Sequence, residues 1–552
     1  MKIVVADRIS QRGMALLSEP GWQVVQPAKA SLAAELADAD ALIVRSATRV
    51  TAELLEKAPR LRVIGRAGVG VDNIDLDAAT RRGVLVMNTP GGNAISVAEH
   101  TLALLLALAR SVPQLNAATH AGRWEKSGAA GIELRGKTLG LLGLGRVGSE
   151  VARRALALEM RVLAHDPYIS EDVAQDLGVN LVPLAELFAR SDFVSLHAAL
   201  SPATAQIINA ATLARMNRGA WLINTARGEL VDETALAEAL RSGHLAGAAV
   251  DVFAVEPPRS SPLLSLPNVI ATPHVAGSTE EAQEEVGTLI AQQVRDFLAE
   301  GVLRNAVNLP TLSAEQYRRL RPYLDLAERL GSLVAQVAAG RTGRVRIVYA
   351  GEPSMLGTHV LRNAVLAGML NTVLDEKVNL VNAGAVAAAR GLVVEEHTRR
   401  RERGFPDTLE VSAMPSAAQP AVAAAPQGEE ARAFVVEGTV LHGTTPRVLS
   451  IDGIALEAPL EGTMLFFRNR DVPGVIGQVG TILGSRKVNI STFALGRREA
   501  VPGAEAVALV RLDGEVPDSI LPPIRGIAAM TEARLVRLPA AESQEALRQH
   551  AS

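Results

Sequence analysis

Apolar residues come in short, nearly unbroken runs early in the chain, at 3–5, 41–44 and 63–64, with helix-like spacing between them. Runs this short, with no polar alternation, suit strands buried on both faces of a parallel sheet, and their alternation with helical segments predicts an α/β unit. Residues 93–110 read as one long apolar helix. A second α/β unit begins at Thr138: a strand, a glycine turn, a helix over 149–158 and a strand over 161–165. Further strands are predicted at 193–196, 221–224, 247–250 and 269–271. The helical segment at 279–299 is expected to carry the chain back to the first unit. The first unit is then discontinuous (1–90 with 285–308) around a second lobe at 91–284, and the two enclose a cleft of the kind in which small-molecule sites lie.

After Pro310 the pattern changes. Residues 311–455 hold helical spacing, a strand-like run at 345–349 and an Ala/Pro stretch at 413–431, which cannot bury enough apolar surface and is expected to be a flexible surface loop. Residues 463–538 read strand-helix-strand-strand-helix-strand, the ferredoxin-like order. The expected fold class is α/β: two Rossmann-like doubly wound lobes, then an α+β intervening domain (309–455) and a ferredoxin-like domain (463–538).

Composition narrows the function classes. A chain of 552 residues is too long for one core. Its 48% hydrophobic and 21% charged residues are ordinary for a globular protein, and a net charge of -3 gives no electrostatic reason to expect a nucleic acid partner. With no cysteine, thiolate nucleophiles, disulfides and sulfur-bound metals are excluded, and no metal site is expected. The start of the chain runs directly into a strand-like segment, and the longest apolar stretch, 102–109, falls far short of the ~20 residues of a membrane helix. These features lead us to expect a soluble, cytoplasmic protein with no membrane partner.

The chemistry begins at Gly143-Leu144-Gly145-Arg146-Val147-Gly148, between a predicted strand and a predicted helix. Glycines there permit a tight turn and close backbone approach, and the helix N-terminus then faces a pyrophosphate. Arg146 can offset cofactor charge. Asp166 ends the next strand, where a carboxylate takes ribose hydroxyls and repels a 2'-phosphate, which favours NAD over NADP; the competing reading is a turn former in Asp-Pro. His274 follows a strand and a proline, and a neutral imidazole is a natural proton acceptor near pH 7. Glu256 can orient that imidazole and stabilise its charged form. Arg227 offers a planar fork for a carboxylate and polarises a nascent carbonyl. In the first lobe, Arg45 and Arg66 suit a phosphate, and backbone amides around 68–70 suit a carboxylate, with surface ion pairs as the alternative for the arginines.

These segments, together with Val44-Arg45-Ser46-Ala47-Thr48, Arg66-Ala67-Gly68-Val69-Gly70-Val71-Asp72-Asn73, Asn88-Thr89-Pro90-Gly91-Gly92-Asn93 and Val250-Asp251-Val252-Phe253, resemble the D-isomer-specific 2-hydroxyacid dehydrogenase family. The resemblance is to its long-form members that act on phosphoglycerate. It implies a catalytic set of Arg227, Glu256 and His274. It also implies substrate contacts at Arg45, Arg66, Gly68, Val69 and Asn93, and nicotinamide contacts at Thr225, Asp251 and His274. Val69 departs from the threonine common in those members. Leu320-Arg321-Pro322-Tyr323 and Val378-Asn379-Leu380-Val381-Asn382-Ala383 resemble the family's allosteric substrate-binding domain, and the Ala/Pro stretch puts its anion site in doubt. Asn469-Arg470-Asp471-Val472-Pro473-Gly474 and Val488-Asn489-Ile490 resemble an ACT domain, in which Asp471 and Asn489 correspond to groups that hold an L-serine effector. For these two, a helix cap and a turn are the alternatives. The implied activity is NAD-dependent oxidation of 3-phospho-D-glycerate to 3-phosphooxypyruvate, the first step toward L-serine, by a homodimer or homotetramer. The competing readings are a glyoxylate or hydroxypyruvate reductase, or a nucleotide-sensing corepressor on the same fold.

Overall fold

The computed structural model describes residues 1–124, 130–309, 314–338, 342–355, 357–374, 378–400, 405, 407–415 and 433–539. Its first sheet has five parallel strands in the order Gln23–Val25, Lys2–Val5, Ala41–Val44, Val63–Arg66, Leu85–Met87. Ala41–Val44 is buried throughout, as a strand covered on both faces must be. The two edge strands have three residues each, too few for a hydrophobic pattern to reveal, and register with their neighbours defines them.

The second sheet has seven parallel strands: Val269–Ala271, Leu245–Val250, Ala220–Asn224, Phe193–Leu196, Thr138–Leu142, Arg161–His165 and Asn180–Leu181. Strand order reverses between Thr138–Leu142 and Phe193–Leu196, which opens a crevice at their carboxyl ends, the usual dinucleotide position in such sheets. Helix Ala94–Arg110 buries its apolar face in this lobe. Helix Glu280–Glu300, capped by Thr279, returns to the first sheet, where Ile290 and Val294 sit so close to Gly65 that a side chain there would collide. The two crossings between the lobes are tied together by the hydroxyls of Ser96 and Thr279, 2.7 Å apart.

Beyond residue 314, helices Ala314–Val337 and Thr358–Leu370 cover one face of a six-stranded mixed sheet that runs on to Pro459. Residues 413–415, expected in a loop, instead complete the strand Thr408–Pro415. Leu409, Val411 and Ala413 alternate toward the core, a period-2 signal that the alanine-rich composition obscured. The rest of the expected loop, 416–431, lies outside the described residues. The last sheet is antiparallel, in the order Ile490–Arg497, Glu505–Leu512, Thr463–Arg470, Met530–Arg537, with helices Val475–Ser485 and Leu521–Arg525. That order is ferredoxin-like.

Core packing divides the molecule differently from the order of the chain. One continuous apolar cluster runs from the first sheet through Val294 and Leu298 into Leu320 and Leu330, and on to Phe434 and Phe466. The second lobe has its own clusters, one on each face of its sheet. The first lobe is thus joined to the C-terminal domains, and the cleft separates that body from the second lobe. Among the described residues, no single helix is long and apolar enough to cross a membrane.

Candidate active site

The glycine turn follows from local geometry. Gly143 has φ +96°, and a Cβ there would lie 2.8 Å from the His197 carbonyl, so only glycine fits. A side chain at Gly148 would run into the Gly143 carbonyl, while Gly145 faces open space. Helix Arg146–Ala157 starts at this turn with free amides and no side-chain cap. The turn is therefore a backbone cradle able to accept a dinucleotide phosphate. Asp166 stands at its rim. Its Oδ2 accepts from the Leu144 amide at 2.9 Å and its Oδ1 from the Tyr168 amide at 2.9 Å, so the carboxylate is fixed while lone pairs remain for hydroxyl donors. Val147 is half-buried at the start of the helix. Arg146, expected over the cofactor charge, reaches across the cleft to donate to the Pro90 carbonyl.

His274 adopts a left-handed backbone, φ 54°, and its Nδ1 lies 2.8 Å from Glu256 Oε2. Glu256 Oε1 in turn accepts from the Phe253 amide at 3.1 Å, which fixes the carboxylate. Asp251 holds the histidine loop from beneath. Its carboxylate accepts from the Thr272 hydroxyl at 2.5 Å and from the amides of Val275 and Ala276 at 2.9 Å each, and its carbonyl accepts from the His274 amide at 2.8 Å. Burial works against its charge, but hydrogen bonds from His100, Thr272 and the two amides leave its pKa below the usual carboxylate value. The Thr225 hydroxyl is likewise turned inward, 2.8 Å from that of Thr101. Both residues were expected to line the nicotinamide. Their polar groups are held by protein partners, because a buried carboxylate or hydroxyl must take its partners from its surroundings.

Arg227 lies in the loop after Ala220–Asn224, and a side chain at Gly228 would strike the Phe253 backbone, which places Arg227 beside the segment leading to Glu256. Its Nη1 donates to the Ala226 carbonyl at 2.7 Å, and its Nε pairs with Asp72 Oδ2 at 3.2 Å, across the cleft. Arg66 projects over Gly68 and donates to the Ala67 carbonyl at 3.0 Å, while its buried Nε has no partner. Burial, then the nearby charges of Arg227 and Arg45, lower its pKa to about 10. The structure therefore gathers Arg45, Arg66 and Arg227 into one cationic field. The Gly68 amide, counted among the free donors, is already given to Thr89 Oγ1 at 2.8 Å, and the Val69 carbonyl accepts from Asn88. The Asn93 side chain packs against Gly277, three residues beyond His274. The sequence motifs included Asp72 without giving it a role, and nothing local marked His100 as a partner of Asp251 and Thr272.

In the last domain, Asp471 Oδ2 pairs with Arg497 Nε at 3.1 Å, and Asn489 Nδ2 donates to Asp513 Oδ2 at 2.8 Å. Gly474 occupies the cap of helix Val475–Ser485 with no side-chain cap bond, so Asp471 is not a helix cap.

Comparison with known proteins adds three domain matches. Residues 102–276 match the D-isomer specific 2-hydroxyacid dehydrogenase, NAD binding domain; residues 319–452 match the D-3-phosphoglycerate dehydrogenase intervening domain; and residues 463–529 match the ACT domain. The D-3-phosphoglycerate dehydrogenase of Methanocaldococcus jannaschii is 40% identical over 98% of this chain and 100% of its own length. The chain belongs to the D-3-phosphoglycerate dehydrogenase family. The Bacillus subtilis member is 38% identical over the same share of both chains. Among solved structures, the TT0316 protein from Thermus thermophilus is 39% identical with a TM-score of 0.51, covering 56% of this chain and 100% of its own. An NAD-dependent formate dehydrogenase from Staphylococcus aureus in complex with NAD is 32% identical with a TM-score of 0.51, again over 56% of this chain and 100% of its own.

Proposed function

We propose that this chain catalyses the NAD-dependent oxidation of 3-phospho-D-glycerate to 3-phosphooxypyruvate, the entry step to L-serine. The observation that carries this reading is the His274–Glu256 pair set beside the Arg45, Arg66 and Arg227 field, in a family whose members bear that name. The turn from Gly143 to Gly148 and the Asp166 carboxylate would hold NAD, which would supply the hydride acceptor for C2 of the substrate. The protein's part is proton transfer and charge placement. With Nδ1 committed to Glu256, Nε2 of His274 takes the C2 hydroxyl proton, and the carboxylate stabilises the imidazolium that forms. Arg227 grips the substrate carboxylate and polarises the nascent carbonyl. Arg45 and Arg66 take the phosphate, and the buried, unpartnered Nε of Arg66 gains an acceptor.

The proposal extends to regulation, assembly and location. Asp471 and Asn489 flank helix Val475–Ser485 at opposite ends, so one L-serine touching both requires modules from two chains, hence a homodimer or homotetramer. An effector ammonium at Asp471 would share that carboxylate with Arg497. Cytoplasmic location belongs to the same reading, and cell fractionation tests it. The deciding experiment compares NAD-linked turnover of 3-phospho-D-glycerate with the reverse-direction use of glyoxylate and hydroxypyruvate. A preference for either of the latter would replace this reading with the reductase one. Titration calorimetry of the oligomer with L-serine, repeated on Asp471→Ala, tests the effector site.

A further inference from the structure

The contact between Asp72 and Arg227 joins the two lobes directly across the cleft. Two guanidinium nitrogens of Arg227 have partners within the chain, and the third is hemmed in by backbone. Nη1 donates to the Ala226 carbonyl, Nε faces Asp72, and Nη2 lies against Gly70, where any side chain would collide with it. A carboxylate gripped side-on by an arginine uses the edge formed by Nε and one terminal nitrogen. In this chain that edge is the one turned toward Asp72 and Gly70. We infer that Asp72 is a positioning residue, an internal carboxylate that occupies the Arg227 fork and that the substrate carboxylate displaces. The inference rests on the carboxylate-anchoring role proposed for Arg227.

Two further observations fit this role. The segment carrying Asp72 is held in place, because Asn73 Nδ2 donates to the carbonyls of Arg45 at 2.7 Å and Thr48 at 2.6 Å, and Asp75 caps helix Leu76–Arg81. Asp72 also bears on a second arginine: its charge opposes the lowering of the Arg66 pKa by Arg227 and Arg45. Its side chain is 69% exposed, so it can swing into water when displaced, and such a screened pair is a weak competitor. Asp72 would thereby hold the lobes in register and, together with Asp7, offset the charge of the clustered arginines.

Asp72→Asn removes the competing charge while keeping the shape. The KM for 3-phospho-D-glycerate should fall about two- to fivefold, the size expected for an exposed ion pair, with kcat changing less than KM. Asp72→Glu keeps a carboxylate and should return KM to the parent value or above it. A KM for the Asn variant equal to or higher than the parent's would overturn the inference and mark Asp72 as a support for Arg227. The same comparison on D-lactate, which shares the carboxylate but has no phosphate, separates the two proposals. Turnover of lactate but not phosphoglycerate by the parent would end the substrate reading while leaving the Asp72 effect measurable. If a variant shows no turnover, calorimetric titration with 3-phospho-D-glycerate reads the same contact, and tighter binding is the supporting result.

Discussion

His274 reaches Glu256 from a left-handed backbone, its Nδ1 2.8 Å from Oε2, while the buried carboxylate of Asp251 holds the next two amides. The imidazole is thus fixed from one side by a carboxylate and from below by its own loop, with Nε2 the atom proposed to meet substrate. His274→Ala should lower turnover by ~10²–10⁴-fold, the usual worth of a general base, with NAD affinity little changed. Glu256→Gln keeps a hydrogen-bond partner but loses the charge that stabilises the imidazolium, so its loss should be smaller. Steady-state kcat together with a fluorescence titration of NAD checks both.

Asp166 has a local task as well as a proposed ribose contact, because the Leu144 amide in the glycine turn depends on it. Asp166→Ala should reduce discrimination against NADP by removing the charge that repels a 2'-phosphate, and should weaken NAD binding too by leaving that amide without its acceptor. Asp166→Asn keeps an acceptor and should lose less NAD affinity. The ratio of kcat/KM for the two cofactors is the measurement, and an unchanged ratio in both variants would remove the specificity role.

The phosphate role proposed for Arg45 and Arg66 can be separated from support of the fold. Arg45→Ala should raise the KM for 3-phospho-D-glycerate by at least tenfold, as expected for loss of a charge-assisted hydrogen bond worth ~1.5–3 kcal/mol, and should have much less effect on D-lactate. Arg66 is half-buried with its Nε enclosed, so its Ala variant should show the same substrate selectivity together with a lower melting temperature. Equal losses on both substrates would mark the pair as structural.

His197 gives a pH dependence that is independent of catalysis. The residue is partly exposed overall, but its ring turns inward to Ser195 Oγ at 2.9 Å, and burial lowers its pKa from 6.5 to about 4. The unfolded chain therefore binds a proton between those values that the folded chain does not. Stability is retained above pH 6.5 and falls as pH drops toward 4, by up to ~1.4 kcal/mol per pH unit for one such group. His197→Gln should flatten the loss of melting temperature between pH 7 and 5. Parallel curves for parent and variant would contradict it.

The sequence by itself determined the elements and the chemistry. Unbroken apolar runs are required of strands buried on both faces, so 41–44 and 193–196 could be read directly. A glycine that must adopt φ +96° beside a backbone carbonyl leaves its mark in the motif, and an imidazole, a carboxylate and a guanidinium carry their reactivity wherever the fold places them. Tertiary structure decided which groups meet. Two edge strands were too short for any periodicity and exist through register with their neighbours. The polar groups of Asp251 and Thr225 turn inward because burial forces them to find donors and acceptors nearby. Arg227 meets Asp72 only because two lobes close on each other. Asn379 donates to the Gly83 carbonyl at 2.8 Å across 296 residues of chain, tying the intervening domain to the first lobe. Local propensity acts over a few residues, whereas packing acts between surfaces that folding brings together, so the union of the first lobe with the regulatory domains around one core was settled by the fold alone.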